Sequence, residues 1–235
     1  MAQGIRRFAS TGGPWGSAGP ADFSGGSCES CGLLAEADHR IANHLAMLGG
    51  YLRLRAAEIG RQDDVPSRES VRLTIETAIL QIDAVSRLHR ALATHGSRAA
   101  ADLSAHLHDI CSPFASGVFG PIALVEDFPP TCLVSADQVL PLTQIVAEVL
   151  TNAVKHAHRG GAPGGIMVRC ARQDEGLVIE VIDSGPGLPP GFDPDTNGGL
   201  GFRLLRGLAR QLRGEMSFRS TDLGVRFTLV LPPRD

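Results

Sequence analysis

The stretch Asp137-Gln-Val-Leu-Pro-Leu-Thr-Gln-Ile-Val-Ala-Glu148-Val-Leu-Thr-Asn152-Ala-Val-Lys155-His156 reads as one helix with two messages. Leu142, Val146, Val149 and Ala153 recur at spacings of three and four, an apolar stripe able to lie on a sheet. At about 100° per residue, Glu148, Asn152 and Lys155 fall within roughly 60° of one another on another face. A carboxylate, an amide and an ammonium together suit a nucleotide–metal site. The amide oxygen is a hard ligand for Mg2+, the carboxylate can orient a group or accept a proton, and the ammonium meets phosphate oxygens. Taken alone, an ordinary solvated helix face gives the same pattern. The ammonium stands out, however: of 22 basic residues, Lys155 is the only Lys. A compact point charge kept among planar guanidiniums fits a phosphate contact, and codon bias with one survivor gives the same count.

Downstream, alternation and turn residues predict strands at Ile166 to Ala171, Leu177 to Ile182, Glu215 to Ser220 and Val225 to Leu231. Asp222-Leu223-Gly224 is the turn between the last two. A helix is expected from Gly201 to Arg213, another from Leu103 to Phe114, and a strand from Ile122 to Phe128. This order predicts an α+β sandwich, one mixed sheet with helices on one face. Asp183-Ser-Gly185-Pro-Gly187 follows the strand ending at Ile182. An Asp there can accept a hydrogen bond from an exocyclic amine, and the glycines admit a ligand close to the backbone, although an ordinary turn uses the same residues. Gly198-Gly199-Leu200-Gly201 stands just before a helix, where open backbone N–H groups form a phosphate site; a flexible connector has the same composition. It is not a Walker A loop, because no Gly-Lys-Ser/Thr follows.

Upstream, Ile41, Leu45, Leu48, Leu52 and Ile59 mark a long amphipathic helix from about Leu33 to Gly60. Ser67 or Ser70 can cap a second, carrying Val71, Ile75, Ala78, Ile82, Val85, His89 and Leu92. Together they form a helical hairpin that buries little alone, so a second copy is expected to complete a four-helix bundle. His39 sits about 150–180° from the stripe, hence toward solvent, with Asn43, Ala46 and Gly50 on its face. His44 and His89 fall on or near the apolar stripes and read as structural. The expected division is a disordered, Gly/Ser/Ala/Pro-rich tail at 1–32, the hairpin at 33–96, and an α+β domain at 97–235.

Order and spacing bring these segments together. Glu148-x-x-x-Asn152-Ala-x-Lys155-His-Ala, then Asp183-x-Gly185-x-Gly187, then Gly199-Leu-Gly201 before a helix resembles the ATP-binding domain of the GHKL superfamily, with its N box and two glycine boxes. Gly224-Val-Arg-Phe-Thr228 resembles the last box, which implies that Thr228 supports the Asp at the adenine. Glu36-Ala-Asp-His39-Arg-Ile-Ala-Asn43-His-Leu resembles the H box of the HWE-like histidine kinases, the second HisKA-type subfamily. The resemblance implies a histidine kinase core in which the γ-phosphoryl of MgATP goes to His39 and then to an Asp of a response regulator. It also implies a homodimer, Asn152 on Mg2+, Lys155 on phosphates, Asp183 at the adenine and Gly199 and Gly201 around the phosphates. Glu148 is then the group that orients or activates the histidine.

Three departures stand out. Ala42 replaces a Lys of the H box, Ala147 replaces an Asn before the N-box Glu, and Arg40 occupies the place where other kinases carry an acid after the histidine. The short segment between the glycine boxes implies a compact lid. Two other readings share these features: a phosphotransfer protein with a degenerate ATP domain, and an anti-sigma-type serine kinase.

Composition bounds the rest. The 235 residues are 43% hydrophobic and 20% charged, with a net charge of -3, so no basic field recruits nucleic acid or an anionic membrane. Aromatic residues are 5%, too few for a base-stacking surface. No apolar run reaches the roughly 20 residues of a membrane span, and a cytoplasmic protein is expected. Cys28 and Cys31 lack a second ligand pair for zinc and read as a chance pair. The first 32 residues are too short for a sensor domain, so either the signal is expected from a separate sensor protein or the chain is a constitutive relay.

Overall fold

The computed structural model describes residues 42, 45–57, 59–60, 68–95, 100–116, 121–157, 163–173, 176–194, 196 and 198–233. The expectations for the tail at 1–32, for Cys28 and Cys31 and for His39, Asn43 and His44 lie outside these residues, as does the side chain of His89.

Seven strands and five helices follow one another along the described chain. Residues 45–57 form α1, and α2 spans Arg68–His95. Then come β1 (Ala100–Asp102), α3 (Leu103–Ala115), β2 (Ile122–Asp127), β3 (Leu133–Ser135) and α4 (Ala136–Asn152). After a π-helical turn, Ala153–Ala157, the chain continues through β4 (Gly164–Gln173), β5 (Gly176–Asp183), α5 (Leu200–Gln211), β6 (Glu215–Thr221) and β7 (Gly224–Leu231).

The main sheet has the order β2-β4-β5-β7-β6. Only β2 and β4 are parallel; the other neighbours are antiparallel. Its inner face, with Ile166, Val168, Ile179, Val181, Phe227 and Leu229, is buried under α3, α4 and α5. Each fully buried aliphatic side chain contributes roughly 1.5–3 kcal/mol. On the outer face Asp127, Arg169, Glu180 and Arg226 form a ladder of ion pairs, with Arg169 Nε 2.6 Å from Asp127 and Arg226 Nη1 3.2 Å from Glu180. The expected sandwich, a mixed sheet with helices on one face, is what forms.

The small β1-β3 pair, three residues on each side, has no periodic signature of its own. Asp102 fixes it: its Oδ1 accepts from Ser104 N at 3.1 Å, capping α3, and from Cys132 N at 2.9 Å. A helix cap and a strand crossing therefore share one carboxylate.

The hairpin does not stand apart as the stripe suggested. Leu48, Tyr51 and Arg55 of α1 are buried, whereas Leu45, Leu52 and Ile59 are 57%, 42% and 37% exposed. On α2 the buried positions are Leu73, Thr77 and Val85, while Ile75, Ile79 and Ile82 face outward. Both helices lie along α4. Leu48 and Val85 meet Leu140, Arg55 meets Glu148 and Thr77 meets Thr151, so α1 runs parallel to α4 and α2 antiparallel. With the sheet on one side and the hairpin on the other, α4 is buried at nearly every position from Ala136 to Thr151.

Candidate nucleotide site

Ser135 precedes α4, and its N–H donates to Gln138 Oε1 at 3.3 Å, half of a capping box. Register from this start places Glu148 and Asn152 one turn apart at the other end. Glu148 is completely buried and Asn152 is half-buried, so this is not a solvated face. Lys155 lies just beyond them. α-Helical spacing stops at Asn152, and Lys155, half-buried, sits in a π-helical turn with more residues per turn.

The start of α5 is pressed against this end of α4. A Cβ on Gly201 would sit 2.2 Å from Glu148 Oε1 and 3.8 Å from Asn152 Nδ2. Only a residue without a side chain fits, which brings Glu148, Asn152 and Gly201 into one constellation. Gly199 is the N-cap, supplies no side-chain cap, and has nothing within 4 Å of where its Cβ would be. The positive end of this twelve-residue helix thus carries no side-chain cap and has open space where a Gly199 side chain would stand.

Asp183 ends β5. Its Oδ1 accepts from Gly185 N at 2.8 Å and from Val225 N at 3.3 Å. Two backbone donors fix the carboxylate and leave Oδ2 as an acceptor. Gly224, at φ 128° in the β6–β7 turn, is a necessary glycine: a Cβ there would lie 1.9 Å from Asp183 O. Gly185 is buried, and Gly187 abuts Thr221 O of the same turn, with Leu188 N donating to Ser220 Oγ at 2.7 Å.

Thr228 does not support Asp183. It pairs in register with Glu180 and with Ser217, on the outer sheet face, three residues from the Val225 amide that reaches the carboxylate. Strand alternation forces this, because an odd offset reverses the face. The last box contacts Asp183 through Gly224 and Val225 instead.

The segment between the glycine boxes is tied down by turns and rings. Phe192 N donates to Pro189 O at 3.0 Å, and Phe192, Phe202, Phe218 and Phe227 form a line with centroids 5.6, 5.1 and 5.1 Å apart. Each tilted ring pair contributes about 0.5–1.5 kcal/mol beyond its buried area.

Sequence reasoning missed Arg55 and Tyr51. The Arg55 guanidinium donates through Nη2 to Glu148 Oε2, and through Nε to Tyr51 Oη at 3.3 Å. Arg55 is 5% and Tyr51 1% exposed. A signal was present: Arg55 follows Leu48 by seven residues, a charge placed in an apolar stripe, which requires a buried partner.

The donor set fits a nucleoside triphosphate: a fixed carboxylate at a strand end, an uncapped helix N-terminus, and an amide beside a glycine that no side chain could replace. Two family profiles match the chain. Residues 36–117 match a histidine kinase family, and residues 137–235 match the histidine kinase-, DNA gyrase B- and HSP90-like ATPase family. The chain belongs to the histidine kinases. Its second match identifies residues 137–235 as a domain of the GHKL type.

Among similar proteins is the blue-light-activated histidine kinase 2 of Erythrobacter litoralis, 29% identical over 208 residues, which cover 85% of this chain and 56% of that protein. The sensor histidine kinase PdtaS of Mycobacterium tuberculosis is 26% identical over 210 residues, covering 85% and 39% respectively. The chain thus spans only about half, or less, of these relatives' length. The solved histidine kinase domain of an Erythrobacter litoralis blue-light activated histidine kinase superposes with a TM-score of 0.63 at 27% identity, covering 87% of this chain and 92% of that one. Among the described residues, no helix is long and apolar enough to cross a membrane.

Proposed function

We propose that the chain is the kinase core of a two-component system: MgATP supplies a γ-phosphoryl group that His39 receives and that then passes to an Asp of a response regulator. The observation that carries this reading is the closure of α5 on α4, with Gly201 flush against Glu148 and beside Asn152. In this reading Asp183 Oδ2 accepts from the adenine amine, while Gly185 and Gly187 shape that end of the pocket. The Gly199–Gly201 end of α5 donates N–H groups to phosphates, and Lys155 adds charge there. Asn152 is the protein's magnesium ligand. Among the described residues no three His, Cys, Asp or Glu could hold a metal, which suits Mg2+ held by one protein group and phosphate oxygens. Glu148 orients or activates the histidine. ATP as phosphoryl donor favours a cytoplasmic location.

We divide the chain at 96/97, with dimerisation and phosphotransfer before it and ATP binding after it. Supporting this, α3 packs on α4 and β2 rather than continuing the hairpin. The outward residues Leu45 and Leu52 on α1, Ile59 beyond it, and Ile75, Ile79 and Ile82 on α2 support a second copy as dimer partner. A separate sensor protein is the proposed source of the signal.

The test is incubation of the full chain with labelled MgATP, followed by acid. Acid-labile phosphate that disappears in His39→Ala, with nucleotide binding retained, is expected. Acid-stable label would indicate a serine kinase, and label persisting in His39→Ala would move the acceptor elsewhere.

A further inference from the structure

Three buried thiols take no part in the nucleotide site: Cys111 on α3, Cys132 just before β3, and Cys170 on the inner face of β4. Two of them touch. The sulfurs of Cys132 and Cys170 lie 3.9 Å apart, although 38 positions, the whole of α4 among them, separate the two in the chain.

The chain's path brings this about. β2 runs beside β4 only as far as the Asp127–Arg169 pair. Pro129 and Pro130 follow, and neither has an N–H with which to extend the ladder. The chain leaves the sheet edge there and folds back, so that Cys132 meets Cys170, the next inward position of β4 after Val168.

The backbone then holds both partners. Cys132 N donates to Asp102 Oδ1 at 2.9 Å, and Cys132 O accepts from Leu103 N at 2.8 Å. Arg172, two residues past Cys170, donates to Leu133 O, one residue past Cys132. Cys170 itself pairs in register with Ile179. Only side chains need move to join the sulfurs. A disulfide measures about 2.05 Å, so about 1.9 Å of the present separation must be closed. Rotation of one thiol between staggered wells covers that distance.

Access is through Cys132. Its neighbours Pro130, Thr131 and Leu133 are exposed, and the β1-β3 pair it leads into is only three residues long, a unit small enough to open locally. Cys170 stands in mid-strand, and burial pushes its thiol far up. Cys132 is thus the thiol that meets a small oxidant, and Cys170 the one that meets Cys132.

We propose that Cys132 and Cys170 form a modification site, which a hydroperoxide closes to a reversible disulfide pinning β3, and with it the start of α4, to β4. With hydrogen peroxide, the Cys132 sulfur attacks one oxygen and the O–O bond breaks. Cys132 is oxidised to a sulfenic acid, and the departing hydroxide takes the thiol proton to become water. The Cys170 sulfur then bonds to the Cys132 sulfur, whose hydroxide leaves with the Cys170 proton as a second water. Two thiols and one peroxide become one disulfide and two waters, and a dithiol reductant reverses the change. The site is independent of the kinase reading.

The experiment uses the full chain carrying Cys28→Ser and Cys31→Ser, which leaves Cys111, Cys132 and Cys170 as its thiols. Folded protein is treated with millimolar hydrogen peroxide, quenched, alkylated in denaturant and digested with trypsin and Asp-N, which place Cys132 on residues 127–136 and Cys170 on residues 170–172. Expected is a peptide joining these two segments within one chain, absent after dithiothreitol, with Cys111 recovered alkylated. The oxidised protein should also unfold at least about 5 °C above the reduced protein, because the bridge closes a long loop. No linked peptide, linkage through Cys111 or between two chains, or linkage only when urea is present overturns the proposal. So does a thermal midpoint that oxidation leaves unchanged or lowers.

Discussion

Gly201→Ala puts the smallest possible side chain into the tightest contact of the site. Its Cβ would stand 2.2 Å from Glu148 Oε1, where 3.4 Å is ordinary contact, an overlap of more than 1 Å. Glu148 cannot yield cheaply: it is fully buried and bonded to Arg55 through its other oxygen. Two responses remain. If the N-terminus of α5 moves outward, the cost is that of overpacking, about 1–3 kcal/mol. If Glu148 swings away and breaks its ion pair, the cost is about 3–5 kcal/mol. The smaller term decides, so a loss of about 1–3 kcal/mol is expected in urea unfolding, together with weakened ATP binding as the helix N-terminus is displaced. Glu148→Ala should remove the obstruction, so the double variant should show a favourable coupling of at least about 1 kcal/mol. A single variant within about 0.5 kcal/mol of the wild type, with unchanged nucleotide affinity, would refute the packing argument.

Arg213 is the one non-glycine with positive φ among the described residues, at 56°, just past α5, where Gly214 N closes the helix end on Ala209 O at 2.8 Å. Arg213→Gly should therefore stabilise the fold by about 0.5–1 kcal/mol, read as a higher denaturant midpoint. His108 Nδ1 lies 2.7 Å from Glu126 Oε2, and this hydrogen bond raises the imidazole pKa above its usual 6.5. Its contribution is therefore complete below pH 6.5 and lost as pH rises through the higher folded value; the pair is exposed, so the change should be about 0.5 kcal/mol or less and absent in His108→Ala, as urea midpoints on either side of neutrality would reveal. Burial pushes the thiols of Cys111 and Cys170 far up, so neither should react with a thiol reagent at pH 8 until the chain unfolds, as mass mapping of labelled peptides would show.

Most of the sheet and its helices were legible because alternation and helical spacing are local, and burial on one face writes them into the sequence. The β1-β3 pair was not, since three residues are too few to show a period and the pairing depends on a remote carboxylate, Asp102. Gly201, Glu148 and Asn152 were found from spacing and do lie together, while Asp183, also found from spacing, is held by Gly185 and Val225 at the end of β5. Lys155 was placed by assuming α-helical geometry through a segment that widens, and Thr228 by box position without strand parity. The split of the hairpin's stripe into an α4-facing edge and an outward edge was invisible, because periodicity reports that a face is apolar and not what covers it. Arg55 fell between categories: a charge in a stripe suggests a mispredicted helix until its partner, 93 residues away, is known.

Tyr51 is the only tyrosine in the chain, and it sits 1% exposed where the hairpin meets α4. Every other aromatic ring is one of nine Phe or a single Trp, with different absorption bands. The molecule therefore carries one intrinsic chromophore at the contact between its two halves, with a guanidinium over its face and a donor on its oxygen. Second-derivative absorbance or near-ultraviolet dichroism of that phenol reads a single location without a label. A polarity change at this band on adding nucleotide would show that the contact between hairpin and α4 responds to binding, in the unmodified protein.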